Sequence, residues 1–114
     1  SGTDLFLRTV TYHDTVEIFR STDNGTTWTS CKAGLPEKVH VTDLLERGSD
    51  LIASTWHNGI FLSTDRGASW KAINAGWPGG LCDSIRIIGK YLYAETWASD
   101  ILRLPLAEIS TEGR

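Results

Sequence analysis

The residues of this chain best suited to chemistry are its imidazoles, indoles and thiols. Three histidines, His13, His40 and His57, could in principle surround a zinc ion and leave one position open for substrate. They lie on three separate segments without close spacing such as His-x-x-x-His, so nothing draws them together and no metal is expected. An exposed indole face can stack on the CH surface of a sugar, while nearby Asp, Asn and His groups fix its hydroxyls. Trp56 and Trp97 are the natural candidates, with Trp77 between Gly76 and Pro78 as a third. Each also reads as core, a tryptophan packed between sheets. Cys31 and Cys82 fit no zinc or redox motif. They are either two inert half-buried thiols or one bridge, and their separation decides which.

The whole-chain figures narrow the classes. The 114 residues suit one domain. Hydrophobic content of 40% with 22% charge is that of a globular chain rather than a disordered one. A net charge of −3 argues against nucleic acid or an anionic membrane as main partner. No apolar run approaches the roughly 20 residues of a membrane span. No signal-peptide pattern is present, which leaves the compartment open.

The elements that must position these residues come from an internal repeat. Ser21-Thr22-Asp23-Asn24-Gly25-Thr26-Thr27-Trp28 returns 42 residues later as Ser63-Thr64-Asp65-Arg66-Gly67-Ala68-Ser69-Trp70. Ile18-Phe19-Arg20 and Ile60-Phe61-Leu62 share that offset, as do Ala33-Gly34-Leu35-Pro36 and Ala75-Gly76-Trp77-Pro78. A partial third copy aligns Leu51–Trp56 with Leu92–Trp97 at an offset of 41, after which Pro105 stands where an octad would begin. A period of 41–42 residues suits a four-stranded propeller blade, for which roughly 40–45 is usual. Short β-rich runs between Gly-, Asn- and Asp-containing turns agree, and the one helical turn expected lies within Pro105–Ser110.

The predicted fold is therefore all-β, built from four-stranded antiparallel blades. With strands lettered A to D from the axis outward, residues 1–36 supply B, C and D of an incomplete first blade. Residues 37–78 form a complete blade, and residues 79–114 give A, B and C of a last one. That makes ten strands and fewer than three blades.

The two octads resemble the Asp-box, or BNR repeat, with the pattern Ser/Thr-x-Asp-x-Gly-x-Thr/Ser-Trp/Phe. Both copies fit at every fixed position. The segment Arg103-Leu104-Pro105-Leu106-Ala107-Glu108-Ile109 is similar to the closing segment of bacterial BNR-like propellers, from which Leu102 and Ala107 depart. The chain thus looks like the C-terminal portion of a sialidase-like propeller. In the octads, Asp23 and Asp65 are expected to accept backbone N–H bonds, and Gly25 and Gly67 to supply positive φ. Ser21, Ser63, Thr27 and Ser69 would tie the turn, and Trp28 and Trp70 would fold over it and bury most of their rings. The resemblance places these turns between C and D strands as scaffold, away from the face that carries chemistry.

That resemblance also implies where a ligand would meet the fold, on the D–A and B–C connections of the opposite rim. Tyr12, His13, Asp14, His40, Trp56, His57, Asn58, Trp77, Trp97 and Asp100 all fall there, with Glu37 beside them. Sialidase-type catalysis would need an arginine triad, a Tyr/Glu pair and an acidic proton donor. Arg8, Arg20, Arg47, Arg66, Arg86, Arg103 and Arg114 are scattered, and under three blades cannot surround a sugar. The expectation is a non-catalytic binding or scaffolding module, without cofactor, that favours glycans. It would be completed as a homo-oligomer or by a complementing fragment, because an open propeller leaves apolar flanks and strand edges. A hydrolase fragment active only with its missing blades, and a purely structural self-assembling fragment, are the alternatives. Extracellular or periplasmic location is what the family implies.

Overall fold

Apolar side chains that alternate along a strand supply one buried face, and an unbroken apolar run supplies two. Both patterns occur in the computed structural model, which describes residues 4–10, 16–35, 39–56, 58–73, 82–96 and 101–107. Strands β1 (Leu5–Val10), β2 (Val16–Ser21) and β3 (Thr29–Ser30) form one antiparallel sheet in that order. Strands β4 (Val41–Arg47), β5 (Asp50–Thr55), β6 (Ile60–Ser63) and β7 (Lys71–Ala72) form the second. Strands β8 (Cys82–Ile88), β9 (Tyr91–Thr96) and β10 (Ile101–Pro105) form the third. Each is an up-and-down meander. The ten strands among the described residues fall three, four and three, as the repeat predicts for propeller blades. Leu106 and Ala107, directly after β10, turn into helical backbone.

The middle sheet is covered on both sides, and its sequence shows why. Along β5, Leu51 and Ala53 join Phe61, Val41 and Ile18 in a core between the first and second sheets. Ile52, with Ile60 and Leu62 of β6, points the other way and packs with Ile85, Leu92 and Ala94 of the third sheet. A single run of apolar residues thus feeds two cores. Cys31 is buried in the first core and Cys82 in the second, and both are free thiols. The half-buried placement expected for them gives way to full burial, since each fills a gap between sheets. Burial drives the Cys82 thiol up to about 11, which keeps it protonated and inert.

Polar bonds fix how neighbouring sheets sit. The β4–β5 pairing slips between Val41 and Asp43, and the β8–β9 pairing slips between Cys82 and Ser84, one repeat further on. At the first of these bulges Thr42 Oγ1 donates to the Cys82 carbonyl at 3.0 Å and so must accept from Ser54 Oγ at 2.7 Å. Asp43 Oδ2 accepts the Ile85 amide at 3.1 Å. A bulge re-aims side chains out of the pleat, and here it aims two of them at the next sheet. On the other side Arg8 Nη1 donates to the Val41 carbonyl at 3.1 Å.

The turn after β3 closes the first seam. Trp70 donates its backbone N–H to the Ala33 carbonyl at 2.9 Å and its indole N–H to the Cys31 carbonyl at 3.2 Å. Gly34 adopts φ +92°, and a Cβ there would lie 2.2 Å from the Trp70 carbonyl oxygen. Only glycine fits. The outer faces of the two end sheets contrast with this packing. Leu5 and Leu7 are 42% and 46% exposed on the first, and Ile88 and Ile101 are 56% and 69% exposed on the third.

Two substitutions test these packing assignments by urea unfolding. Leu51→Ala removes a fully buried side chain from the first core and is expected to cost about 2–5 kcal/mol, whereas Thr64→Ala, at an exposed octad position, should change stability by under about 0.5 kcal/mol. Equal effects would mean that the middle sheet is not covered as described. Gly34→Ala is expected to destabilise through the clash with Trp70, and an unchanged midpoint would contradict that close approach.

Candidate functional site

The ends of the strands opposite the octads carry the predicted ligand rim. In each sheet the same end is concerned, where β1 meets β2, β5 meets β6 and β9 meets β10. Among the ten residues predicted there, the structure describes His40, Trp56 and Asn58. Tyr12, His13, Asp14, His57, Trp77, Trp97 and Asp100 lie outside the described residues.

Two of the described three, His40 and Trp56, are brought together by the β4–β5 pairing. Trp56 donates its backbone N–H to the His40 carbonyl at 2.9 Å, which sets the two residues side by side. Their rings lie 5.4 Å apart, tilted by 47°, and both residues are half-buried. The tight connection that follows is held by Thr55. Its hydroxyl donates to the Gly59 carbonyl at 2.7 Å and accepts the Asn58 amide at 2.9 Å, while its own N–H also reaches Gly59 O. Asn58 is therefore presented on a pinned connection, exposed, just after Trp56 in the chain. The imidazole–indole pair offers two inclined ring faces, and the Asn58 amide can both donate and accept. Among the described residues, no three His, Cys, Asp or Glu side chains are grouped as a metal would require.

At the other end of the sheets the two octads form nearly superimposable turns. Ser21 Oγ donates to Asp23 Oδ1 at 2.8 Å and accepts the Gly25 amide at 2.8 Å. Asp23 in turn accepts the Thr27 amide at 2.8 Å and the Thr27 hydroxyl at 2.6 Å. In the second octad Ser63, Asp65, Gly67 and Ser69 repeat every one of these bonds to within 0.1 Å. Positive φ falls on two successive residues in each, Asn24 and Gly25, then Arg66 and Gly67.

The tryptophans that end the octads differ. Trp70 is buried, as expected, but Trp28 is 39% exposed. Trp70 lies on the turn after β3 of the preceding sheet. Trp28 has no described sheet in the matching position and donates instead to Gly25 O of its own turn at 3.1 Å. Octads of one pattern thus give different burial because the neighbour differs.

An ion network that the sequence did not disclose joins the same end of the first two sheets. Asp4 accepts from Arg20 at 2.9 Å and from Arg66 at 3.3 Å, and Arg66 also pairs with Glu46 at 2.7 Å. The Arg66 guanidinium sits over the Phe6 ring, 5.0 Å from its centre. Burial alone would raise the Asp4 carboxyl, but bonds and charge from the two arginines outweigh it and hold the pKa low. The one available signal was Arg66 at a variable octad position, where φ is 58°.

The octad carboxylates make stability depend on pH. The Thr27 hydroxyl, the Thr27 amide and the Ser21 hydroxyl draw the Asp23 carboxyl down to about 2. The Ser69 hydroxyl leads the causes that lower Asp65. A depressed carboxyl contributes stability above its unfolded value near 3.8, and that contribution is lost as pH falls through the folded value. The unfolding midpoint is expected to drop between about pH 4 and pH 2, and Asp23→Asn should flatten the slope. A slope identical in the variant would show that Asp23 is not a main acid-sensitive group.

No family model matches the chain, and no curated protein does. Solved structures do. A structure described as YCF48 bound to D1 peptide aligns with a TM-score of 0.61 and 20% identity, over 77% of this chain and 29% of that one. The computationally designed Ika4 protein aligns with a TM-score of 0.58 and 6% identity, over 89% of this chain and 60% of that one. This chain therefore spans under a third of the first neighbour and about three fifths of the second. Likeness at these identities concerns the fold alone, and the fold is that of β-propeller blades.

Proposed function

We propose that this chain is a non-catalytic binding module of a β-propeller, with glycan as its ligand class. The observation that carries the reading is the rim arrangement of half-buried His40 and Trp56, 5.4 Å apart, with exposed Asn58 on the connection that follows Trp56. An indole–imidazole surface suits the apolar face of a pyranose, and the amide suits its hydroxyls. The two octads, which resemble Asp-boxes in sequence, support assignment to that family and act as scaffold at the far end of the sheets. Peptide binding is the competing reading of the same rim. It draws only on likeness to a propeller seen with a peptide, and fold likeness does not carry a ligand across.

Assembly is the second part of the proposal. The exposed Leu5 and Leu7 on one end sheet and Ile88 and Ile101 on the other leave two apolar faces of the kind that sheet-on-sheet packing covers. Further blades cover them, either from a longer chain or from copies of this one.

Calorimetric titration of the chain with neutral oligosaccharides is expected to show saturable binding that Trp56→Ala abolishes. Absence of binding by a folded, correctly assembled protein would overturn the glycan reading, as would binding indifferent to that substitution. Light scattering on a size-exclusion column is expected to give a discrete oligomer for this 114-residue chain. A monomer that unfolds cooperatively would show that its end faces need no copies to cover them.

A further inference from the structure

We propose that the cleft between the two octad turns is an oxyanion-binding site for a small ligand bearing a carboxylate, sulfate or phosphate group. The cleft holds about 590 Å³, within the range usual for small-molecule sites. It is lined by Arg20, Thr22, Thr29, Ser30 and Lys32 on the first sheet's side, and by the backbone around Ala68 on the other. Among the described residues both charged groups that line it are cations, and no carboxylate does. Hydroxyls beside a guanidinium and an ammonium are the donors that an oxyanion takes, and charge-assisted bonds are the strong ones.

Arg20 is only partly committed. Its Nη2 donates to Asp4, which is shared with Arg66, while its Nε is buried with no hydrogen-bond partner.

The repeat supplies an independent argument. One repeat further on, Arg20 is replaced by Leu62, Ser30 by Ala72, Cys31 by Ile73 and Lys32 by Asn74. Leu62 is buried in the second core and Ile73 packs against it. The fold thus accepts an apolar residue where Arg20 stands and a neutral one where Lys32 stands. Lys32 is not required by the blade architecture, Arg20 serves it only through Asp4, and the two depart from the repeat together at one cleft. This site lies at the opposite end of the sheets from His40 and Trp56, so it stands or falls separately from the glycan rim.

The repeat also provides the variants. Arg20→Leu and Lys32→Asn install the residues that the second copy already carries, so the fold has a precedent for each. Calorimetric titration would use inorganic phosphate, glucuronate and uncharged glucose at low ionic strength. Saturable binding of one or both anions and weakening of about tenfold or more in each variant are expected, while any glucose binding belongs to the rim and should be lost in Trp56→Ala. Tighter binding of glucuronate than phosphate would assign the anion to an acidic sugar, and the reverse order to a free or esterified phosphate. Trp56→Ala should leave anion binding unchanged. The proposal is overturned if neither anion binds, if Trp56→Ala abolishes the anion binding, or if Lys32→Asn binds like the parent chain. Should Arg20→Leu fail to fold, Lys32→Asn decides alone.

Discussion

The structure depends on sheets that stack face to face, each burying what its neighbour offers. A meander of three or four short strands has two faces and little side chain to spare, so one sheet alone encloses nothing. The second sheet resolves this by dividing its apolar residues, with Leu51, Ala53 and Phe61 toward one neighbour and Ile52, Ile60 and Leu62 toward the other. Period-two geometry makes the division automatic once strand register is set. Register therefore matters more here than the identity of any single apolar residue.

Hydrophobic contact does not fix how far one sheet slides over the next, since apolar burial is non-directional. Directional bonds do that at both ends of the stack. Near the ligand rim, the bulge at Thr42 hands a hydroxyl and a carboxylate across to β8. At the octad end, Trp70 reaches back to Ala33 and Cys31, and Arg66 reaches Asp4. The two-residue strands β3 and β7 suit this scheme. An edge too short to template another strand is protected from unwanted pairing, and the octads hold it in place through their own side chains.

What the sequence disclosed and what it withheld divide along local and non-local lines. Strand number and order were legible because a 42-residue repeat shows each blade twice. The octad turns were legible because Ser, Asp, Gly and Thr or Ser at fixed spacing bond almost wholly among themselves. Trp28 folds over its own turn as the motif implies, but the motif cannot show that it keeps 39% exposure for want of what covers Trp70. The Asp4–Arg66 pair and the Asp43–Ile85 bond were invisible, since each joins residues from different sheets. At the rim, strand pairing accounts for His40 beside Trp56, and a Thr55 hydroxyl that nothing singled out holds Asn58 in place.

The two buried thiols bear on how such a stack comes apart. Cys31 belongs to one core and Cys82 to the other, and no core residue is common to both. Each seam is thus an independent mechanical joint, coupled to the next only through the rigidity of the sheet between them, as in a one-dimensional array. Parting the first joint bares Cys31 and leaves Cys82 shielded, and parting the second does the converse. The molecule carries a separate chemical witness to the opening of each joint.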